Sequence, residues 1–205
     1  MKLAVLGASG HGKVVADTAL AAGWEDVVFF DDAWPALTQN GIWPVVGDTD
    51  ALMTQRNEFD GIVVGIGSNR IRLNKTRELS YSGAKLTTIV HPCAVLSPTV
   101  QLGMGSVVFA GAVIQVDCRL GAACIVNTNA SIDHDCCLAD GVHVCPGTSI
   151  AGLVTVGEVS WIGIGASVKQ MVKIGEGVTV GAGAAVVSDV SDSETVVGVP
   201  AHVFA

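Results

Sequence analysis

The aliphatic residues between Val90 and Val186 recur every six positions without interruption. Leu, Ile or Val stands at every one of these positions: Val90, Leu96, Leu102, Val108, Ile114, Leu120, Val126, Ile132, Leu138, Val144, Ile150, Val156, Ile162, Val168, Ile174, Val180 and Val186. A period of six fits neither an amphipathic helix nor an alternating strand, and it is typical of a parallel β-solenoid built from hexapeptide repeats. The repeat therefore predicts a solenoid over about half of the chain.

The other positions of the repeat are also restricted. The residue two positions before each aliphatic residue is small or β-branched, as at Ala112, Cys118 and Ser160. Glycine often follows the aliphatic residue, as at Gly103 and Gly157, and we interpret these glycines as turn formers. Three repeats, each one strand and one turn, close a triangular coil of about 18 residues. Residues 18 positions apart then stack in adjacent coils, at about the 4.8 Å spacing of paired strands.

In the residues before the repeat, short apolar runs alternate with segments of helical pattern. Apolar runs at 2–8, 27–30 and 61–67 alternate with helical segments at 13–22, 49–56 and 69–82, and a further strand is predicted at 86–90. This alternation predicts a small parallel Rossmann-like βαβαβ sheet. The change of pattern near residue 85 divides the chain into an α/β domain at 1–85 and a solenoid domain with a C-terminal extension at 86–205.

Charge and composition exclude several classes of partner. The net charge is −8 and no Lys/Arg cluster is present, which argues against nucleic acid and membrane surfaces. No apolar run reaches about 18 residues and no signal peptide is visible, so we expect a cytoplasmic protein without membrane insertion. Cys118, Cys124 and Cys136 occupy the small position of the repeat, and we expect no disulfides among the six cysteines.

The loop Gly7-Ala8-Ser9-Gly10-His11-Gly12 follows the first strand and opens a helix, where backbone amides can hold a phosphate. Three interpretations are open: NAD, another nucleotide diphosphate, or a purely structural turn. Ser9 stands where a dinucleotide fold has its second glycine, and the domain is about half the size of such a fold. These two observations disfavour NAD and favour another nucleotide diphosphate.

Polar residues also follow the predicted strands. His11 can donate to a sugar or phosphate oxygen, and Asp31 and Asp32 can accept from a base or ribose. Ser68, Asn69 and Arg72 begin the third predicted helix, where the free backbone amides attract an anion. The alternative for Arg72 is a solvated helix face. The predicted substrate-binding residues are Ser9, Gly10, His11, Asp31, Asp32, Ser68, Asn69 and Arg72.

His134 is the candidate for catalysis. It lies between Asp133 and Asp135, two residues after the inward Ile132, so its side chain lies outside the corner stack. A carboxylate beside an imidazole orients the ring and raises its basicity, as a general base near neutral pH requires. The alternative is a surface histidine in a polar turn. The 18-residue rule places Gly152 one coil above His134, where its bare amide can donate to an oxyanion.

Metal and cysteine chemistry are disfavoured by the same spacing. His143 is nine residues from His134, half a coil away, so the two cannot stack as metal ligands. A metal hydratase needs three ligands, and His91, His134 and His143 do not share the 18-residue spacing. We predict no metal and interpret His143 as a helper at a subunit groove. Cys136 points inward and Cys137 lacks a nearby cation in sequence, so neither is predicted to be a nucleophile.

The two halves together resemble the sugar acyltransferases of the left-handed β-helix class. That class includes sialic acid O-acetyltransferases and N-acetyltransferases of nucleotide-linked 4-amino-4,6-dideoxy sugars in bacillosamine and perosamine pathways. The resemblance covers nearly the whole chain and rests on residues 7–13, Asp31-Asp32, Gly67-Ser68-Asn69, residues 127–135 and Gly198-Val-Pro-Ala201. It implies a left-handed parallel β-helix and a homotrimer with active sites at subunit interfaces.

The resemblance also implies ligands and residue roles. A nucleotide sugar would bind the small domain and acetyl-CoA the groove between neighbouring β-helices. His134 resembles the family's general base and Asp135 its carboxylate partner, where Glu is more usual. The residues that fall near the family's acetyl-CoA contacts are His143, Gly152, Ile164 and Gly181. The implied reaction is direct N-acetyl transfer to a nucleotide-linked amino sugar of the UDP-4-amino-4,6-dideoxy-N-acetylhexosamine type. The open alternatives are a sialic acid type O-acetyltransferase and a non-catalytic nucleotide-sugar-binding protein.

Overall fold

The computed structural model describes residues 1–204, which fall into two compact units. The first unit comprises Met1–Pro92 and the second begins at Cys93. Sequence analysis placed this boundary a few residues earlier, at the start of the strand predicted at 86–90.

The first unit is an α/β domain. Its elements are β1 (Lys2–Leu6), α1 (Gly10–Ala21), β2 (Asp26–Phe30), β3 (Gln39–Asn40), β4 (Trp43–Gly47), α2 (Thr49–Gln55), a 3₁₀ turn (Arg56–Glu58), β5 (Gly61–Val64), α3 (Asn69–Tyr81) and β6 (Ile89–Val90). The sheet order is β3-β4-β2-β1-β5, with parallel pairing except between β3 and β4. The predicted small parallel sheet is confirmed, and the β3–β4 hairpin is an addition that the apolar pattern did not reveal.

The central strands are buried on both faces, as continuous apolar runs require in a parallel sheet. Leu3, Ala4, Val5 and Leu6 in β1 are all buried, and so is every residue of β5. By contrast, β4 alternates buried and exposed residues after Trp43, and it contains Pro44, a residue that disfavours strands. Within the segment predicted as a strand at 86–90, Leu86 forms a parallel bridge with Ile62 of β5, and the regular strand is β6 at Ile89–Val90.

The second unit is a solenoid of two-residue strands arranged in three stacks, which we call the first, second and third faces. The first face contains β7 (Val95–Leu96), β10 (Val113–Ile114), β13 (Ser131–Ile132), β16 (Ser149–Ile150), β19 (Ser167–Val168) and β22 (Ala185–Val186). The second contains β8 (Gln101–Leu102), β11 (Arg119–Leu120), β14 (Cys137–Leu138), β17 (Thr155–Val156) and β20 (Lys173–Ile174). The third contains β9 (Val107–Val108), β12 (Ile125–Val126), β15 (His143–Val144), β18 (Trp161–Ile162) and β21 (Thr179–Val180).

Strands in each face pair in parallel with partners 18 residues away, as with Ile132 and Ile150. The aliphatic residues that recur every six positions from Val108 to Val186 are all buried. The small interior positions are buried as well, and their polar members donate to backbone carbonyls of the next coil. Cys124 Sγ donates to the carbonyl of Ala139 at 3.2 Å, for example. The six-residue period and the 18-residue stacking are therefore confirmed.

The glycines that follow the aliphatic residues begin the turns, as at Gly157, whose carbonyl accepts from the amide of Ser160 at 3.4 Å, but the turn conformation does not require glycine there. The left-handed backbone conformation recurs every six residues from Gly105 to Gly183, three positions after each aliphatic residue, and half of these positions are not glycine. Gly157, which directly follows an aliphatic residue, lacks this conformation. A Cβ there would lie 2.5 Å from the amide nitrogen of Glu176 in the next coil. Close approach of two backbones, and not turn geometry, explains glycine at this position.

The C-terminal extension closes the third face. Here β23 (Thr195–Val197) pairs in parallel with β21, and β24 (His202–Val203) pairs antiparallel with β23. The C-terminal extension thus packs on the last coil. Among residues 1–204, no helix is long and apolar enough to cross a membrane.

Candidate active site

His134 lies in the turn between β13 and β14, where the chain passes from the first face to the second. Its ring Nδ1 lies 2.8 Å from Asp135 Oδ2, and its backbone amide donates to Asp133 Oδ1 at 2.9 Å. Asp135 holds the left-handed turn position with φ of 58°, a conformation that aspartate tolerates better than most residues. The turn of the solenoid therefore places a carboxylate directly on the imidazole.

The carboxylates raise the pKa of His134. The largest cause is the hydrogen bond with Asp135, burial opposes it, and the charges of Asp133 and Asp135 add to it. The side chain is 49% exposed, so solvent screens these effects. Because the carboxylate of Asp135 accepts from Nδ1, the neutral ring carries its proton there and leaves Nε2 as the acceptor. This is the tautomer that a general base requires.

Gly152 lies directly beside the imidazole, one coil above it. The amide of Leu153 donates to the carbonyl of His134 at 2.9 Å, which links the two turns. A Cβ on Gly152 would lie 2.6 Å from both Cε1 and Nε2 of His134. The ring therefore occupies the space that a side chain at position 152 would fill.

A groove of about 390 Å³ runs along the first face next to these residues. It passes Asp133 and Ala151, which immediately precede His134 and Gly152 in the chain. The remaining lining residues are Val113, Gln115, Ser131, Ile132, Ser149, Ile150, Ser167 and Val168. An extended ligand along this face would end beside the imidazole.

His143 lies on the third face, at a different corner from His134. Its Nε2 is 3.0 Å from Asn127 Nδ2, and its ring packs edge-on against Trp161 at a centroid distance of 4.3 Å. His143 is only 5% exposed. The sequence pattern did not indicate Trp161 or the role of Asn127. Trp161 lies 18 residues after His143, so the stacking rule could have predicted this contact. Asn127 lies 16 residues before His143, so the rule could not have predicted that one.

The other residues implied at acetyl-CoA also lie near the corner that follows the third face. Ile164 is 61% exposed in the turn after β18. At Gly181, Val197 of the C-terminal extension already fills the side-chain space, because a Cβ there would lie 2.7 Å from Val197 Cγ1. Within one chain, the structure brings together His134, Asp135 and Gly152, and it places His143, Ile164 and Gly181 at another corner.

In the first unit, Asp31 holds the glycine loop. Its carboxylate accepts from the amide of Ala8 at 2.7 Å and from the amide of Ala33 at 2.9 Å. The carboxylate of Asp32 accepts from the amide of Thr49, the first residue of α2, at 3.0 Å. Both aspartates therefore tie loops at the carboxyl edge of the sheet, where open α/β sheets bind ligands.

A cavity of about 320 Å³ opens at this edge. It brings together three predicted residues, Ser9, Asp31 and Asp32. Two further polar residues that sequence analysis missed, Thr49 and Lys75, line it as well. The apolar part of the lining consists of Leu6, Gly7, Ile66 and Ile71. Lys75 is the cation at this edge, and its place on α3 gave no signal because it reads as an exposed helix residue.

The residues at the start of α1 differ in accessibility. Gly10 opens the helix, and no atom lies within 4 Å of the position of a Cβ there. Burial, and to a smaller extent the nearby charge of Arg72, together lower the pKa of His11 to about 4. His11 is therefore neutral near pH 7. It can offer a hydrogen bond there but no charge.

The prediction that Arg72 binds an anion is not supported by its environment, and neither is the solvated alternative. Arg72 is 1% exposed. Its guanidinium donates to the carbonyls of Ile66 and Gly67 at 3.2 and 3.1 Å and to Asn69 Oδ1 at 3.0 Å. Arg72 thus holds the loop before α3. Ser68 is the N-cap residue of α3, and its side chain makes no capping hydrogen bond.

The structure also shows where the cysteines and the possible metal ligands lie. Burial raises the pKa of Cys136 to about 12, which keeps the thiol protonated. Cys137 is exposed and pairs in register with Arg119, a cation that lies one coil away and not close to it in sequence. In the described part of the chain, no group of three or more His, Cys, Asp or Glu side chains is placed to hold a metal ion.

Comparison with known proteins gives matches in both units. The family model of the PglD N-terminal domain matches residues 2–79. UDP-N-acetylbacillosamine N-acetyltransferase of Bacillus subtilis (strain 168) is 34% identical over 117 residues, which is 53% of this chain. The match spans 51% of the length of that curated relative.

Two solved structures match over almost the entire chain. The acetyltransferase domain of PglB from Neisseria gonorrhoeae FA1090, in complex with acetyl coenzyme A, is 45% identical with a TM-score of 0.95 and covers 99% of this chain and 98% of that chain. PerB from Caulobacter crescentus, in complex with CoA and GDP-perosamine, is 38% identical with a TM-score of 0.95 and covers 100% of this chain and 98% of that chain.

Proposed function

Because this chain belongs to the left-handed β-helix family of sugar acyltransferases, we propose that it transfers the acetyl group of acetyl-CoA to the amine of a nucleotide-linked amino sugar. The sugar is of the UDP-4-amino-4,6-dideoxy-N-acetylhexosamine type. The relatives support an acetyl donor and a nucleotide sugar acceptor, since their names include acetyl coenzyme A, GDP-perosamine and UDP-N-acetylbacillosamine.

The observation that carries the proposal is the hydrogen bond between His134 Nδ1 and Asp135 Oδ2 at 2.8 Å. It fixes the tautomer, raises the pKa of the ring and leaves Nε2 at a half-exposed corner of the coil. A proton acceptor in this state suits an amine that must lose a proton as it attacks.

The reaction is direct transfer. The sugar amine attacks the thioester carbon, His134 Nε2 takes the proton that the amine loses, and a backbone amide such as that of Gly152 donates to the developing oxyanion. The carbon–sulfur bond then breaks, and the CoA sulfur leaves with the proton that His134 has taken, which returns the ring to its neutral state. Holding both substrates in contact removes the need for an acyl-enzyme, which agrees with the high pKa of Cys136.

The nucleotide belongs at the carboxyl edge of the sheet in the first unit. Asp31, Asp32, Thr49 and Lys75 line one cavity there, and they offer acceptors for a base or ribose and a cation for phosphate. The named relatives use different nucleotides, UDP in one and GDP in another, so the base is the first variable to test.

A homotrimer is part of the proposal. His134 with Gly152 lies at one corner of the solenoid and His143 with Ile164 lies near another, so a groove between two copies would bring the two sets together. Ile164, Leu153 and Met171 are strongly exposed apolar side chains at solenoid turns, which supports burial against another copy. The six free cysteines support a cytoplasmic location.

The test is release of free CoA thiol from acetyl-CoA in the presence of UDP-, GDP- and CMP-linked amino sugars, with the acetylated product identified by mass spectrometry. We expect release with an amino sugar and none with the matching hydroxyl sugar. Release with the hydroxyl sugar alone would indicate the O-acetyltransferase instead. Nucleotide-sugar binding without any thiol release would indicate a non-catalytic binding protein.

A further inference from the structure

Gly152 occupies a turn position that does not itself require glycine. Its backbone lacks the left-handed conformation, since the left-handed residue of that turn is Leu153 with φ of 62°. The equivalent positions one coil before His134 and one coil after Gly152 carry Val116 and Gln170. The backbone of this column therefore accepts side chains in other coils, and another feature must explain glycine at position 152.

That feature is the imidazole of His134. A Cβ on Gly152 would lie 2.6 Å from Nε2 and Cε1 and 3.1 Å from Cδ2, all of them atoms of one ring. No backbone atom is among these nearest contacts, in contrast to Gly157, where a Cβ would meet the amide nitrogen of Glu176 at 2.5 Å. Gly152 is buried although it has no side chain, and the half-exposed ring lies next to it.

The ring is thus held from two sides. Asp135 binds Nδ1 at 2.8 Å, and the bare Cα of Gly152 supports the opposite edge, which carries Nε2. We propose that Gly152 is a positioning residue, whose missing side chain seats the His134 imidazole and sets where Nε2 lies. This role adds a detail to the proposed active site. Only the expected effect on kcat rests on the proposed function. The role is separate from the amide hydrogen bond to the oxyanion considered above.

An alanine at position 152 needs the ring to move by about 1 Å, because ordinary carbon contacts begin near 3.4 Å and the ring would be at 2.6 Å. A displacement of that size from near-attack geometry reduces rates by about 100-fold. The same movement stretches the hydrogen bond with Asp135, so the pKa of His134 should fall toward its ordinary value. The fold should survive, because a side chain can move where a backbone cannot.

The experiment is a double-mutant cycle with four proteins: wild type, Gly152→Ala, His134→Ala and the variant with both changes. Thermal unfolding of each is measured, and the pKa of His134 is followed by NMR in the first two proteins. We expect Gly152→Ala to lower the melting temperature when His134 is present and to have little effect when it is absent. We also expect it to lower the pKa of His134 and to reduce kcat about 100-fold.

Gln170→Ala is the matched control, since it places an alanine at the same turn position one coil further on, and it should leave the pKa of His134 unchanged. An equal thermal effect of Gly152→Ala in both backgrounds, with the pKa of His134 unaltered, would overturn the proposal. A rise in KM for acetyl-CoA with kcat and the pKa unchanged would also overturn it, because it would make Gly152 a ligand contact only. The NMR and thermal results hold whether or not the protein acetylates a sugar, so failure of the proposed function is recognised separately.

Discussion

Replacement of His11 by asparagine should change how the stability of the first unit depends on pH. Burial, together with the charge of Arg72, lowers the pKa of His11 from 6.5 to about 4. Between these values the unfolded chain binds a proton at this residue and the folded chain does not. Stability is therefore fully present above pH 6.5 and is lost as the pH falls toward 4.

The magnitude follows from the size of the pKa difference. Each unit corresponds to about 1.4 kcal/mol, so the full loss is about 3 kcal/mol once the pH is below both values. Between about pH 7 and pH 5 the expected loss is about 2 kcal/mol, because the folded protein has barely begun to bind the proton there. The neutral side chain of asparagine contributes no such loss.

The assay is urea unfolding of both proteins at a series of pH values, followed by tryptophan fluorescence. Trp24, Trp34 and Trp43 lie in the first unit and Trp161 in the second, so the signal reports mainly on the unit that contains His11. Other titrating groups affect both proteins, and the difference between the two profiles isolates His11. Parallel profiles between about pH 7 and pH 5 would refute the reasoning, since they would show no pKa difference between folded and unfolded states.

Three further substitutions have expected effects. Asp135→Asn should reduce kcat by about 100-fold and move the acidic limb of the pH–rate profile to lower pH, because the carboxylate no longer raises the pKa of His134; a profile at unchanged pH would contradict this. Arg72→Met should destabilise the protein by about 1–3 kcal/mol in urea unfolding, because two carbonyls of the loop before α3 lose a buried donor. It should also raise KM for the nucleotide sugar, and an unchanged KM would show that this loop does not contact the substrate. Gly157→Ala should cost at least about 1–3 kcal/mol, because its Cβ meets the backbone amide of Glu176, and a thermal melt equal to that of wild type would show that the coils can separate locally.

The solenoid could be predicted because its six-residue period determines which side chains point inward. Once Ile132 and Ile150 stack, the positions of His134 and Gly152 follow from counting alone, and the structure has them in contact. Counting by 18 fails for contacts that cross between positions of the repeat. Asn127 reaches His143 from 16 residues away, because its side chain crosses from one turn position to the neighbouring strand.

The first unit was less predictable, because it has no such register. Arg72 was interpreted as an exposed or ligand-facing residue, although Thr76 and Leu79 follow it at helical spacing on the buried side of α3. The apolar face of a helix can include an arginine when loop carbonyls accept its hydrogen bonds, and sequence alone does not show those carbonyls. The β3–β4 hairpin was missed because β3 has only two residues and β4 contains Pro44, which disfavours a strand.

The measurement that tests the central claim most directly is the turnover of His134→Ala with acetyl-CoA and the best nucleotide-linked amino sugar, together with binding of each ligand by calorimetry. General base catalysis contributes about 10²–10⁴-fold, so the variant should lose turnover by a factor in that range while it binds both ligands as wild type does. Turnover within a few-fold of wild type would contradict the account, because proton removal would then not depend on His134.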